Sequence, residues 1–419
     1  MVKRIWFVSH YAMPPAYEMR EKTLKHAYYL QKKGYEVTIV SASTIHNTNV
    51  NLMRNTSTQY RMQKYDGIPF IHIKCCDYHD RGTVWRILNL LQFAVKFRLI
   101  GQKFPLPDVI IAEANCINYS PIYYFCRDNK IPFYVDVRDL WPESIVEYLG
   151  FSKNNPVIRY LYHREKKMYM RSDGIIFSMA GGKQYIKEKG WDTAVPPSKI
   201  HHINNGVDLK AFEYNKDHFQ IQDSDLTDAH TFKVIYCGSI RLVNGLGTLV
   251  DTAAELKRMN RGNIKILVYG DGDERASLEQ RCKREKLDNI IFKGFVEKKY
   301  IPFIISCGDL NFIQVKQTAI MRFGSSLNKL FEYLASGKPV LSDLQVRYDI
   351  IKRYGAGTTM TTQAPADIAN EMIRYAEMDP KEYETICQNA RRAAKAYDYK
   401  RLTDKLIAII TPKKEGCTK

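Results

Sequence analysis

Along this chain the apolar residues gather in short runs, and between the runs they recur at helical spacing, so strands and helices alternate. Val2 to Ser9 reads as a first strand, followed by a loop carrying Pro14-Pro15. Arg20 to Lys33 reads as a helix with Leu24, Ala27 and Leu30 on one face and Gly34 at its end. Tyr35 to Val40, Asp108 to Ala114, Ile131 to Val137, Gly174 to Ser178 and Lys199 to Asn204 are strand-like, with a helix over Val157 to Ser172. Short, nearly continuous apolar strands separated by helices predict a parallel sheet covered on both faces.

The pattern weakens through the polar stretch Tyr214 to His230 and then restarts. Strands are expected at Phe232 to Gly238, Ile264 to Gly270, Asn289 to Gly294, Asp309 to Ile313 and Pro339 to Ser342. Helices are expected at Leu246 to Met259, Arg275 to Glu285 and Leu327 to Ser336. A chain of 419 residues is too long for one hydrophobic core. The expectation is an α/β protein of two doubly wound, Rossmann-like domains facing each other across a cleft. Residues 1–206 form the first and 207–379 the second, and the helices of 380–419 pack back toward the first.

Composition changes this picture little. The nine cysteines are scattered, and the one close pair, Cys75-Cys76, lacks the spacing of a zinc site or a disulfide framework. That points to a reduced, cytoplasmic setting. The start of the chain reads as a strand, not a signal peptide, and no run is long and apolar enough to span a membrane. The net charge of +18 admits a nucleic acid, an anionic membrane or a phosphorylated substrate as partner. No nucleic-acid-binding module is recognisable, and the aromatic residues fall within strands and helix faces, so nucleic acid is not expected.

Candidate chemistry sits where strands run into helices, the edge at which such sheets bind ligands. Arg138, Asp139 and Trp141 follow the strand Phe133 to Val137, with Pro142 and Glu143 opening a helix. An Arg-Asp salt bridge with a Trp plugging the sheet end competes with a ligand-facing role. "YCGSIRLVNGLG" brings Gly238, Gly245 and Gly247 near a helix start, with Arg241 as a possible charge contact for phosphate; a tight turn with a surface Arg is the alternative. Asp271 and Asp273 form a DxD, explained more simply by a turn and an acidic helix start than by a metal. Lys329 stands in the first turn of its helix, where the helix dipole disfavours a cation by ~0.3–1 kcal/mol, a sign that a bound anion reverses. The alternative is an exposed pair with Glu332. His10 and Arg20 lie in the stretch that leads from the first strand into a helix and face the cleft in this topology, though a lone His is more often structural than catalytic. Thr83 to Lys103 is a basic helix with Trp, Phe and Leu on much of its surface, either a core helix or one lying at an anionic membrane surface.

"IPFYVDVRDLWPES", "KIHHINNGVDLKAF", "ILVYGDGDERASLE", "IIFKGFV" and "LNKLFEYLASGKPVL" occur in this order over nearly the whole chain. Together they resemble the family 4 glycosyltransferases of GT-B type. The "RDLWPES" element is similar to the branch that builds bacterial surface polysaccharide, the fucosamine (N-acetyl-amino-deoxyhexose) transferases. The resemblance implies retaining, metal-independent transfer of a sugar, expected to be an N-acetylated hexosamine or deoxyhexosamine. The donor is a nucleotide sugar, most simply a UDP-sugar, with no further cofactor. The acceptor implied is an undecaprenyl-diphosphate-linked or other lipid-linked saccharide in capsule, O-antigen or exopolysaccharide synthesis. That places the protein at the inner face of a bacterial cytoplasmic membrane, with the Trp85 to Arg98 helix as the contact.

By the same resemblance the donor meets Gly238, Ser239, Arg241, Gly270, Asp271, Gly272, Ser325, Ser326, Leu327, Asn328, Lys329 and Glu332. Glu332 would hold the ribose hydroxyls and Lys329 the diphosphate. Arg138, Asp139, Lys329 and Arg241 would carry catalysis, and His10, Arg20, Trp141 and Glu143 the acceptor. Two departures stand out. Ser239 and Asn244 replace a usual Arg and Lys, and Gly324 replaces the first of two glutamates. They feed a competing expectation, a GT-B protein that binds carbohydrate or nucleotide without turnover.

Overall fold

In a computed structural model of the chain, residues 2–17 and 21–411 are described. Contacts divide the chain into two units, Met1–Asn204 together with the segment from Tyr399 onward, and Asn205–Asp398. The first unit contains β1 (Arg4–Val8), β2 (Glu36–Ala42), β3 (Tyr60–Tyr65), β4 (Ile68–Ile73), β5 (Val109–Glu113), β6 (Phe133–Val137), β7 (Gly174–Phe177) and β8 (Ile200–His202), in the order β3-β4-β2-β1-β5-β6-β7-β8. Neighbours are parallel except for β3, which runs antiparallel along β4 at the edge. Asp66 and Gly67, at φ 49° and 80°, form the two-residue turn of that hairpin, a conformation Asp-Gly adopts readily.

Side chains alternate across β1. Ile5 and Phe7 pack on one face with Ala27 and Leu30 of the helix Lys22–Lys32 and with Leu402 and Leu406 of the helix Tyr399–Ile410. Trp6 points the other way, stacked on Phe125 at 6.2 Å and edge-on to Phe97 at 6.3 Å. Those two rings belong to the helices Tyr119–Asp128 and Gly82–Ile100. The helix Pro156–Arg171 continues the layer, as right-handed crossovers from β5 to β6 to β7 require.

The second unit contains β9 (Phe232–Cys237), β10 (Ile264–Tyr269), β11 (Ile290–Gly294), β12 (Leu310–Ile313), β13 (Val340–Ser342) and β14 (Gly357–Thr359), all parallel, in the order β11-β10-β9-β12-β13-β14. Ile235 and Cys237 face the helices Asn328–Ala335 and Pro380–Ala396, while Val234 and Tyr236 face Gly247–Arg258 and Pro365–Ala376. The polar stretch that interrupts the sequence pattern holds the helices Leu209–His218 and Ser224–Thr227. Asp223 ties it down, accepting from Lys293 Nζ and Tyr269 Oη at 2.7 Å each.

The contacts part the two terminal helices that the sequence reading kept together. Pro380–Ala396 presents Ala390, Ala393 and Ala394 to Phe331, a small-residue face that seats it in the second unit, whereas Tyr399, Leu402 and Leu406 enter the core of the first. Each sheet reverses direction once. The chain works outward from β1 to β2 on one side and from β5 to β6 on the other, and again from β9 to β10 and from β12 to β13. The carboxyl ends of β1 and β5, and of β9 and β12, are therefore where each unit has room for a ligand.

Candidate functional site

At the switch point of the second unit, the helix Asn328–Ala335 starts beside the end of β9. Tyr333 holds it there: its hydroxyl accepts from Cys237 N at 2.7 Å and donates to Cys237 O at 3.3 Å. This places Lys329, in the first turn, with Nζ 3.1 Å from the Tyr236 hydroxyl and 4.2 Å from the centre of its ring. Among the described residues no carboxylate pairs with Lys329. Loss of water around the ammonium lowers its pKa to about 8, against the opposing pull of the more distant Asp343 and Glu332 carboxylates. A cation is thus set at the helix end where the dipole disfavours it, beside amides that lack an acceptor within the helix.

Gly238, Gly270 and Gly272, three of the glycines expected at the donor, meet here. A Cβ at Gly238 would stand 2.8 Å from Lys329 Nζ, one at Gly270 1.8 Å from Gly238 O, and one at Gly272 2.1 Å from Ile240 O. Glycine lets the loop after β10 run against the loop after β9 and leaves room for the ammonium. The close approach commits part of the backbone, because Gly238 N donates to Tyr269 O at 3.0 Å and Ile240 N to Asp271 O at 2.9 Å. Asp271 Oδ1 accepts from Gly272 N at 2.9 Å, the turn role rather than a ligand geometry. Among the described residues no three His, Cys, Asp or Glu side chains converge to hold a metal.

Ser239 and Asn244 form a latch in this loop. Asn244 Nδ2 donates to Ser239 O at 2.6 Å and to Ser239 Oγ at 2.9 Å, and the Ser239 carbonyl also accepts from Tyr236 Oη at 2.9 Å. Arg241 is exposed in the same loop. Gly324 has φ 90° and ψ 176°, a backbone region that side-chain-bearing residues avoid. Beyond it, Ser326 accepts at Oγ from Asn205 N at 2.8 Å and at its carbonyl from Asn205 Nδ2 at 2.6 Å, fixing the approach through Ser325 and Leu327 to Asn328. Glu332 lies 3.7 Å from Lys298 Nζ. At the end of β12 the amide of Gln314 donates to Gly245 O, while its buried Oε1 has no donor among the described residues. Next to these loops an open depression of about 450 Å³ is lined by Gln317, Thr318, Arg322, Gln345 and Arg347.

The carboxyl edge of the first unit is built differently. Lys22 Nζ donates to Asp136 Oδ1 at 2.7 Å, to Ser178 Oγ at 2.8 Å and to Ile203 O at 3.2 Å. Arg138 Nε donates to the other oxygen of Asp136 at 3.1 Å, and its Nη2 reaches Thr23 Oγ1. Burial alone would raise the Asp136 carboxyl; Lys22 and Arg138 overcome it and hold the group at about 2. Arg138 therefore serves the sheet edge, and Asp139 beside it is exposed.

Three residues expected on the acceptor side lie on this edge. Glu143 is fully buried, bonded to Lys189 and Tyr162 and 3.3 Å from Lys153, so it has no surface to offer an acceptor. Trp141 packs with Cys116, Ile158 and Leu161 as a structural wedge. His10 is 4% exposed, its Nε2 bonded to Asn89 and its ring edge-on to Phe93 at 5.3 Å, and burial lowers its pKa to about 4, so it is neutral. Its buried Nδ1 has no partner among the described residues. Pro142 precedes the short helix Glu143–Leu149 rather than opening it. Arg20 lies outside the described residues.

Sequence reasoning passed over Lys22, Tyr236, Tyr333, Gln314 and Asp343. Lys22 looked like one more solvated helix cation, and the tyrosines like core. Asp343, just past β13, accepts from Gln363 Nε2 at 2.9 Å, and burial pushes its carboxyl up to about 7. The usable signal was position: each but Lys22 lies at or next to a carboxyl strand end or in the helix that opens there.

Residues 218–393, all within the second unit, match the family described as glycosyl transferases group 1. No curated protein sequence matches the chain. Among solved structures, Anabaena HepE in complex with UDP-glucose is similar at 16% identity and a TM-score of 0.64, covering 96% of this chain and 98% of that one. Sucrose-phosphate synthase from Thermosynechococcus elongatus is similar at 15% identity and a TM-score of 0.71, covering 96% and 97%. The UDP-forming α,α-trehalose-phosphate synthase of Burkholderia vietnamiensis is similar at 12% and 0.71, covering 97% and 99%. The chain has the GT-B fold of two Rossmann-like α/β domains.

Proposed function

We propose that this protein is a glycosyltransferase that takes a sugar from a nucleoside diphosphate and passes it, with retention at the anomeric carbon, to a saccharide hydroxyl. The observation that carries the reading is Lys329, a partly buried ammonium at the switch point of the second unit with no carboxylate partner among the described residues. The group 1 family match covers the same stretch, and a similar protein solved with UDP-glucose favours a UDP-sugar as donor. In this reading Lys329 and the amides of residues 325–328 neutralise the diphosphate, and Glu332 holds the ribose.

Breaking the bond between the anomeric carbon and the phosphate oxygen puts negative charge on the departing diphosphate. An ammonium already desolvated stabilises that charge more than one in water. The acceptor oxygen bonds to the same face of the carbon, and its proton passes to the phosphate oxygen that leaves. That balance needs neither a protein nucleophile nor a metal. On the first unit, exposed Asp139 orients the acceptor hydroxyl, with Arg138 placed by Asp136. The stretch Arg138 to Ser144 is the ground for the finer assignment: an N-acetylated hexosamine or deoxyhexosamine as in fucosamine transfer, and a lipid-diphosphate-linked acceptor such as an undecaprenyl-linked saccharide of surface polysaccharide.

A second reading, a GT-B protein that binds without turnover, is favoured by the Ser239-Asn244 latch and by Gly324. The test is thermal shift with UDP, GDP, ADP and dTDP, free and as their sugars. A ligand at a hundred times its dissociation constant stabilises by ~2.7 kcal/mol. Stabilisation by UDP and its sugars, followed by sugar release or transfer that Lys329→Ala abolishes, is the expected result. Stabilisation without any turnover selects the binding protein, and no shift with any nucleotide overturns both.

A further inference from the structure

The helix Gly82–Ile100 is apolar on two opposite faces. Phe93, Ala94 and Phe97 are buried against its own unit. On the other side Val84, Leu88, Leu91, Val95 and Leu99 recur three and four residues apart and fall within ~80° of the helix circumference. They are 39–68% exposed. A surface helix ordinarily shows water a polar face. Here the outward stripe runs for ~22 Å with no polar residue within it.

Within the helix and its flanks the charges are cationic, although Arg98 is paired with Asp128 at 2.8 Å and Asp80 precedes Arg81. Between residues 81 and 103 stand Arg81, Arg86, Lys96, Arg98 and Lys103, and no Asp or Glu. Arg81 lies over the ring of Trp85 at 5.2 Å, and Arg86 over Tyr11 at 5.5 Å. Trp85, itself 41% exposed, flanks the stripe at its start. Aliphatic side chains bordered by guanidinium groups and an indole match the layering of a bilayer surface, with acyl chains inside and anionic headgroups outside. No helix among the described residues is long and apolar enough to cross a membrane, and the inner face of this one is occupied by the sheet.

We propose that this face docks on an anionic phospholipid bilayer, the helix lying parallel to the membrane plane, with the stripe in the acyl boundary and Trp85 at headgroup level. A second copy of the chain fits less well, since a two-fold contact would bring the same cations together. The proposal stands on the exposed face alone and does not depend on the donor chemistry.

Flotation of the full chain with vesicles of phosphatidylcholine, with and without phosphatidylglycerol, tests it. Binding is expected to the anionic vesicles and to weaken as salt is added. Leu88→Ser, Leu91→Ser and Val95→Ser together should reduce it by roughly tenfold for each side chain removed, with an unchanged melting temperature. Brominated lipid should quench the wild-type fluorescence more than that of Trp85→Phe. Absence of vesicle binding, binding that survives the triple substitution, or equal quenching in the two proteins overturns the proposal. So does a dimer in solution that the triple substitution dissociates while vesicles bind neither form. Vesicle binding needs no nucleotide, so its failure leaves the glycosyltransferase reading standing, and the reverse holds too.

Discussion

The carboxyl edges of the two sheets carry similar residues to opposite ends. In the first unit Lys22 and Arg138 share one carboxylate, Asp136, and Ser178 and the Ile203 carbonyl take up the remaining ammonium protons. In the second, Lys329 has a phenol and a ring for company, and Gln314 Oε1, at the end of the neighbouring strand, has no donor among the described residues. Charge at a strand end is therefore not itself a sign of a ligand. What separates the edges is whether the protein has already neutralised the charge.

Removing the shared carboxylate is the most severe way to test that contrast. Asp136→Ala takes away the carboxylate that two poorly hydrated cations share, and breaking a buried pair in this way costs ~3–5 kcal/mol. Denaturant unfolding should show that loss, while nucleotide binding to the folded fraction stays as it was. An unfolding midpoint equal to wild type would mean the first edge is as open as the second. Acid should act on the same bond. The folded Asp136 sits at about 2, below its unfolded value, so its contribution is full above pH ~4 and is lost as pH falls toward 2. The loss is on the order of 2 kcal/mol.

The corresponding change at the open edge should do the reverse. Lys329→Ala removes a charge-assisted contact worth ~1.5–3 kcal/mol, so calorimetry should find nucleotide affinity down by roughly ten- to a hundredfold. Stability should hold or rise, because a poorly solvated ammonium is gone. Unchanged affinity would remove Lys329 from the site. A pH series sharpens the same point. Lys329 titrates at about 8 when free of ligand, so affinity should be flat below pH ~7.5 and fall above 8, by at most about tenfold per pH unit. The Lys329→Ala protein should lose that slope.

Much of this was legible in the sequence. The alternation of strands and helices, the two units, the glycine loops and Lys329 all follow from local pattern, because β-branched runs, helix periods and glycine conformations act over a few residues. The hairpin of β3 and β4 was legible too, in "KYDGIPF", yet its strand Tyr60–Tyr65 is half polar and does not read as core. What escaped was pairing at long range. Lys22 finds its partners 114, 156 and 181 residues away, and Glu143 finds Lys189 46 residues on. No local period reports such contacts, so Arg138 and Glu143 looked available when the fold had already used them.

The smallest effect lies inside the open edge, where the latch of Asn244 on Ser239 is a closed element in an otherwise open place. Two hydrogen bonds hold the Ser239 carbonyl and hydroxyl, and the carbonyl accepts a third from Tyr236, the residue that also meets Lys329. If the latch only shapes the loop, Asn244→Ala should cost ~1 kcal/mol of stability and leave nucleotide affinity within about twofold, since Tyr236 still holds the carbonyl. If Asn244 instead reaches the donor, affinity should fall at least tenfold with little change in melting. Asn244→Lys separates the two further. A cation gained beside a bound diphosphate should tighten binding and steepen its salt dependence, whereas a lysine directed to solvent would do neither. The substitution thus asks whether a cation at residue 244 reaches the bound donor or whether Lys329 alone supplies charge there.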